Sequence, residues 1–331
     1  MRWITPLLLA VVAPARLTAA AILPLDIDAL AAGASVATAA APATVLGILS
    51  QSTAGVPWDI TQFYTLVAAY PDILHDLGGD AVTAFAFTDA AVAAYLSASG
   101  ASVADLAANR ALLDLHILPA VVYDPATSQG MTSVLGSDLA AQTAVTNLAP
   151  GATQRLVATK ASSGVVVSDG RRRAVIRYSL RATNGVVHVI DTVLQPPAGL
   201  LETAAALHHD AWRAAVDRSG FAAVMRGLTD ATYFLPRTAA AWLAEHPLTD
   251  LALQHLLVQN VVASAGPYFS TDFTPAGTLI TTENGGTVNL TRSETGALQI
   301  VAGITVTTIV QSDILLSNGV LHITDSFILP Q

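Results

Sequence analysis

Residues 183–196 read TNGVVHVIDTVLQP, and residues 317–330 read SNGVLHITDSFILP. Asn-Gly, Val, His, Asp and Pro recur in the same places, with Asn184 and Asn318 lying 134 residues apart. A solenoid would repeat every 20–50 residues or so; this spacing suits two copies of one domain. Each Asn-Gly separates two alternating apolar runs. It favours the positive φ that a two-residue type I′ hairpin needs at both turn centres. The reading therefore predicts turns centred on Asn184-Gly185 and Asn318-Gly319.

The runs leading into these turns are RAVIRYSLRAT (173–183) and ITVTTIVQSDILLS (304–317). In the first, Ala174, Ile176, Tyr178 and Leu180 share one face, and Arg173, Arg177 and Arg181 the other. Earlier in the second copy, GTLITTENGGTVNLTRSETGALQIVAG (277–303) alternates around Asn284-Gly285 and Thr295-Gly296. The C-terminal half of each copy is thus expected to be a β-meander. The N-terminal halves carry helical periods instead, in TVLGILSQS (44–52), FYTLVAAY (63–70), DAAVAAYLSAS (89–99) and LETAAALHHDAWRAAVDRSGFAAVMRGL (201–228), with breaks at Ser219-Gly220 and Gly227. Helices followed by strands make each copy an α+β domain.

Within the closing strands, Asp191 has the parity of Val187, Val189 and Val193. Asp325 has that of Leu321, Ile323, Phe327 and Leu329. A carboxylate on an apolar face needs donors, or its burial costs several kcal/mol. Backbone N–H groups at a bend are the expected source. His188 and His322 take the opposite parity. These residues read as polar pins that fix strand register rather than as catalytic groups, because no nucleophile accompanies them.

The chain has 331 residues, 53% of them apolar and 12% charged, enough to fill two cores. Its net charge of −9 offers nothing global to nucleic acid or an anionic membrane. It has no cysteine, which excludes thiol catalysis, thiolate metal sites and disulfides, and Lys160 is its one lysine. Arg2, the apolar run Ile4–Val12 and the small residues Thr18-Ala19-Ala20-Ala21 have the layout of a secretory signal over residues 1–20. An Ala-rich segment over 21–43 would follow, then one domain over 44–196 and another over 198–330, joined stiffly at Pro196-Pro197. The mature chain is expected to be soluble outside the cell, with no transmembrane segment and no lipid-anchor tail.

The segment TAFAFTDAAVAAYL (83–96), its weaker counterpart TYFLPRTAAAWL (232–243) and the two closing stretches resemble the paired signatures of fasciclin (FAS1) domains. The resemblance covers residues 44–330 as two domains in tandem. Between the signatures, LLDLHILPAVV (112–122) and ALQHLLVQNVV (252–262) place His116 and His255 at the family's middle histidine, so these join the polar pins. Phe87 stands where the family usually has proline, Leu115 and Gln254 where tyrosine commonly precedes the histidine, and Arg237-Thr238 where Thr-Asn or Thr-Asp is usual. The resemblance implies a wedge-shaped β-sandwich with a helical side, serving in extracellular adhesion or matrix association. Some animal members engage integrins through an Asp-Ile pair before the second signature. Asp313-Ile314 matches that pair and Ser179-Leu180 does not; an ordinary strand end with Ile314 buried is the plainer reading.

No G-x-S-x-G, H-E-x-x-H, Walker loop or G-x-G-x-x-G is present, so no enzymatic activity and no cofactor is expected. His208-His209-Asp210 reads as a solvated helix face rather than a metal site, since adjacent helical residues diverge. Asp72, Asp76 and Asp80 read as a solvated acidic edge rather than a calcium site. Arg171, Arg173, Arg177 and Arg181 share strand parity and could form one cationic stripe for an acidic polysaccharide or an anionic protein face. The same arginines could instead discourage edge pairing or mark a processing site. Asn289-Leu290-Thr291 is the one N-x-[ST] sequon, with Asn289 on the polar parity. The expected function is secreted adhesion or cell-wall association through weak contacts with cell-surface or matrix proteins or acidic polysaccharide, with possible weak self-association. The alternative is a carrier with an apolar cleft.

Overall fold

The computed structural model describes residues 43–51, 58–162, 164–263 and 266–329. The signal expected over 1–20 and the Ala-rich segment up to residue 42 lie outside them. Copy one runs α1 (Val45–Ser50), α2 (Thr61–Val67), α3 (Pro71–Leu77), β1 (Val82–Phe87), α4 (Asp89–Ser99), α5 (Val103–Ala108), α6 (Arg110–Leu115), β2 (Ile117–Pro119), β3 (Thr132–Ala140), β4 (Thr153–Ala161), β5 (Gly164–Ser168), β6 (Arg173–Ala182) and β7 (Gly185–Ile190). Copy two runs α7 (Leu200–Ala206), α8 (Asp210–Ser219), α9 (Ala222–Gly227), β8 (Ala231–Pro236), α10 (Ala239–Glu245), α11 (Asp250–Gln259), β9 (Val261–Val262), a 3₁₀ turn (Ser270–Asp272), β10 (Thr278–Thr281), β11 (Thr287–Arg292), β12 (Leu298–Ala302), β13 (Thr305–Leu316) and β14 (Gly319–Thr324).

Each copy builds its own seven-stranded sheet, ordered β2-β1-β7-β6-β5-β4-β3 and, identically, β9-β8-β14-β13-β12-β11-β10. The meander is antiparallel, but the closing strand pairs in parallel with a strand from the helical half: β1 with β7, and β8 with β14. Reading helices first and strands second misses this strand. VTAFAF and ATYFLP are buried at every position and, Thr83 and Thr232 apart, carry no polar alternation, because both of their faces are covered. Thr88 ends β1 and caps α4, its hydroxyl accepting from Ala91 N at 3.1 Å.

The Asn-Gly pairs do a different job from the predicted one. The two-residue loops are Thr183-Asn184, between paired Ala182 and Gly185, and Ser317-Asn318, between Leu316 and Gly319. Neither asparagine has positive φ. Each instead ties down the chain entering the parallel strand. Asn184 Nδ2 donates to Leu77 O (3.1 Å) and Gly79 O (2.7 Å), and its Oδ1 accepts from Val45 N (2.8 Å). Asn318 Nδ2 donates to Met225 O and Leu228 O, both at 3.0 Å. Each glycine lets that strand come close: a Cβ on Gly185 would sit 1.8 Å from Val82 O, and one on Gly319 1.9 Å from Ala231 O.

Copy one packs around Phe63, Phe85, Phe87, Leu112 and Val189, all fully buried. Copy two has a helix-side core with Trp212, Tyr233, Leu253 and Leu321, and a sheet-side core with Phe234, Phe273, Val288 and Ile300. A small apolar cluster joins the copies: Val134 and Val157 from copy one with Phe269, Leu315 and Val320 from copy two.

Candidate interaction site

Two histidines hold matching places. His188 Nε2 donates to Tyr123 O (2.9 Å), and its Nδ1 faces the Ser179 hydroxyl (2.8 Å). His322 Nε2 donates to Tyr268 O (2.8 Å), and its Nδ1 accepts from Asp313 N (3.3 Å). Phe85 stacks on His188 and Phe234 on His322. Burial pushes the His322 imidazole below its usual range, against the pull of the Asp313 carboxylate. His116, fully buried, donates through Nδ1 to Leu112 O (2.7 Å) and accepts at Nε2 from Leu194 N (3.2 Å). Burial lowers it to about 4.

His255 does not share this role: it lies exposed on α11. Asn260 stands at the place of His116. Phe85 N donates to His116 O and Phe234 N to Asn260 O, each at 2.9 Å. The usable signal was the Leu-Leu pair four residues earlier: Leu112-Leu113 before His116, Leu256-Leu257 before Asn260.

Asp191 and Asp325 sit just past β7 and β14, not within the apolar face. Asp191 Oδ1 accepts from Val175 N (2.8 Å) and Asp325 Oδ1 from Thr308 N (3.0 Å), each beside a shift in strand register. Asp313 occupies a second bulge peculiar to copy two, at φ 61°. It is 7% exposed and its Oδ1 accepts from Ser270 N at 2.7 Å, while Ile314 is 2% exposed. The Asp313-Ile314 pair is therefore packed inside, and the partner-binding role implied by the resemblance is corrected: a partner cannot reach it.

The single arginine stripe is also corrected. Arg171 precedes β6, in the turn after β5. The bulge at Arg177 shifts the alternation, so Arg173 and Arg181 face opposite sides of the sheet. Arg177 pairs with Asp191 at 2.7 Å and Arg181 pairs with Asp124.

What gathers arginines instead is the seam between the copies. The hairpin end of copy two docks on copy one: Asn147 N donates to Ser317 O (2.7 Å) and Gln154 Nε2 to Leu316 O (2.9 Å). Asn147 Nδ2 reaches Arg226 O and Leu228 O, and Ala149 N donates to Asp230 Oδ2 at 3.1 Å. The turn 169–172 lies on β13, where a Cβ on Gly170 (φ 98°) would come within 2.5 Å of Leu315 backbone atoms. Asp169 fixes that turn by accepting from Arg171 N, Arg172 N and Gln195 N at 2.7–2.9 Å. Its burial raises the carboxyl despite these donors. Arg172 is held by Val193 O and lies over the Tyr95 ring. Arg171 is left pointing across the seam, toward α7–α9.

There an open cleft of about 590 Å³ is lined by Arg171, Arg213 and Arg226 with Glu202, Asp217 and Leu201. Arg213 touches Asp210 at 3.1 Å; Arg171 and Arg226 form no ion pair among the described residues. A second seam cleft, about 390 Å³, is lined by Met131, Thr132, Ser270, Thr271, Arg292 and Ser312 among others. Guanidinium groups beside carboxylates suit an anionic ligand that also carries hydroxyls.

Asn289 lies half-buried on β11, with Val288 and Leu290 facing the core. His208 (φ 61°) and His209 occupy the break between α7 and α8, not a helix face. Asp72 pairs with Arg110 at 2.7 Å; among the described residues no cluster of three metal-ligating side chains forms. No described helix is long and apolar enough to cross a membrane.

The Fasciclin domain family model matches residues 59–196 and 208–330. A curated relative, the fasciclin-like arabinogalactan protein CTB11 of Cercospora beticola, is 29% identical over 179 residues, 52% of this chain and 46% of that protein. The chain thus spans about half the length of the curated relative it matches. A solved FAS1 domain pair from the insect cell adhesion molecule fasciclin I aligns over 82% of this chain and 97% of that one, at 18% identity and a TM-score of 0.39.

Proposed function

Because this chain belongs to the fasciclin family, as two Fasciclin domains in tandem, we propose that it is a secreted, non-catalytic adhesion protein that associates with cell wall or matrix by holding acidic polysaccharide in the cleft between its domains. A general adhesion or wall-associated role accords with the family and with the arabinogalactan-protein relative. The observation that carries the finer reading is the meeting of Arg171 from domain 1 with Arg213 and Arg226 from domain 2 in one cleft. Among the described residues Arg171 and Arg226 form no ion pair, so an incoming uronate or sulfate breaks none of the ion pairs seen there. Glu202 and Asp217 can accept from sugar hydroxyls, and the cleft falls in the size range of ordinary ligand sites. Arg173 lies on the same domain but outside this cleft. The carrier alternative needed an apolar cleft, and no observation favours it over the charged clefts at the seam.

The test is retention of the full chain on immobilised polygalacturonate at low salt, with a neutral galactan as control. Selective retention that weakens as salt rises is expected. Arg171→Ala/Arg226→Ala should reduce affinity roughly tenfold, the scale of one or two charge-assisted hydrogen bonds. Arg173→Ala should bind as the wild type does. Absence of retention at low salt rejects the polysaccharide reading. Retention that the double variant leaves intact rejects the cleft as its site.

A further inference from the structure

The register of β10–β13 sets four residues side by side across four strands. Leu279 pairs with Asn289, Asn289 with Val301, and Val301 with Val306. Directly opposed residues of antiparallel strands share a face. Their neighbours Ile280, Val288, Leu290 and Ile300 fill the core, so this row lies on the outside. Leu279 is 73% exposed and Val306 53%, and Ile304, in the adjoining β12–β13 turn, is completely exposed. Scattered apolar surface residues are ordinary, but a row of them beside an open sheet edge invites association. β10 is that edge strand.

At the centre of the row stands the sequon asparagine. The Asn289 amide makes no hydrogen bond among the described residues. It lies along the Gly277 turn, where any Cβ would come within 2.4 Å of Asn289 Oδ1. A protein surface docked on the row would have to supply this amide with hydrogen-bond partners or bury it unsatisfied, at a cost of about 1–3 kcal/mol. A sugar attached to it meets no such conflict.

We propose that an N-linked glycan on Asn289 covers this apolar row and keeps the edge of domain 2 from self-association. In the transfer, Nδ2 bonds to the anomeric carbon of a polyprenyl-pyrophosphate-linked oligosaccharide. The bond from that carbon to the pyrophosphate oxygen breaks, the lipid pyrophosphate leaves with the electron pair, and Nδ2 loses one proton. In the folded strand the Thr291 hydroxyl is engaged with Thr274 O at 3.3 Å, so transfer precedes completion of this strand. The aliphatic C–H faces of the first sugar rings then rest on Leu279, Val301 and Val306. The proposal rests on the extracellular reading, because this transfer takes place in the secretory route.

The experiment expresses the full chain in a secreting eukaryotic host, maps Asn289 by peptide mass, and follows sedimentation before and after endoglycosidase treatment. A modified Asn289 and a monomeric native protein are expected. Glycan removal, or Asn289→Gln, should strengthen self-association at least tenfold, and adding Leu279→Thr with Val306→Thr should restore the monomer. The enzyme-treated wild type decides the matter should Asn289→Gln fail to fold. A secreted chain with bare Asn289 overturns the proposal and spares the extracellular reading; a chain retained in the cell overturns both. A glycan whose removal leaves sedimentation unchanged overturns its role as the cover.

Discussion

Asn260 and Ile328 exchange two hydrogen bonds, Nδ2 donating to Ile328 O and Oδ1 accepting from Ile328 N, each at 3.0 Å. They tie the end of α11 to the chain beyond β14. Asn260 is 2% exposed, so truncation leaves both Ile328 groups buried and unpaired. Asn260→Ala should cost domain 2 about 2–3 kcal/mol. The exposed His255→Ala should change stability by less than about 0.5 kcal/mol. Urea unfolding of both variants checks this, and equal effects would refute the assignment of Asn260 to the histidine's place.

His116 uses the other chemistry at that place, and this makes domain 1 sensitive to acid. Its Nε2 accepts from Leu194 N. A protonated ring would set donor against donor there. With the folded value lowered to about 4 and an unfolded value of about 6.5, the unfolded chain takes up a proton first as pH falls. Stability is therefore full above about pH 6.5 and declines by about 1.4 kcal/mol per pH unit toward pH 4. His322, also lowered by burial, adds a decline of the same sign. Asp169, raised by burial, acts oppositely: below its folded value the folded state holds the extra proton, which offsets part of the loss in acid. His116→Asn, the solution found at Asn260, should flatten the slope between pH 6.5 and 4 by one proton's worth. Equilibrium unfolding across that range measures it, and an unchanged slope would contradict the buried neutral imidazole.

The same pair of residues shows what the sequence makes legible. The meander is written in alternation, which answers to local backbone geometry, and the duplication in the repeated Asn-Gly, His and Asp, although Asn184, Gly185 and His188 answer to contacts far along the chain. The parallel strand was not legible: VTAFAF carries no alternation, and its partner lies about a hundred residues away. The bulges at Arg177 and Asp313 were equally silent, since one inserted residue reverses face assignment without altering composition. That is why four arginines of equal parity dissolved as a stripe. The seam cleft draws Arg171 and Arg226 from different domains, a proximity that no spacing within one motif encodes.

Gly185 and Gly319 should be among the least replaceable residues. A Cβ at either would overlap a carbonyl oxygen of the parallel strand, at 1.8 and 1.9 Å, and that oxygen belongs to backbone which cannot step aside without breaking the β1–β7 or β8–β14 pairing. Gly100, at φ 70° with open space around it, serves as the control. Gly100→Ala should cost about 1 kcal/mol through backbone strain alone. Gly185→Ala and Gly319→Ala should each cost well over 3 kcal/mol or prevent folding. Yield and thermal unfolding of the three variants make the comparison, and similar losses in all three would remove the close-approach argument.

Gly170 tests whether the two domains act as one body. It lies in the Asp169-anchored turn of domain 1, and its α-carbon faces the Leu315 backbone of domain 2, with no room for a methyl group. Gly170→Ala should leave each seven-stranded sheet intact, because the turn belongs to neither core. The cost falls on the seam, where Gln154 would lose its bond to Leu316 O and the Val134, Val157, Phe269 cluster would loosen. Two results are expected together: a larger radius of gyration by solution scattering, and separation of one unfolding transition into two. Affinity for polygalacturonate should fall as well, although Arg171 and Arg226 remain, because the cleft exists only while the domains are docked. A variant as compact and cooperative as the wild type would show that Gly170 does not hold the seam. A loosened variant with unchanged affinity would place the anion site on a single domain.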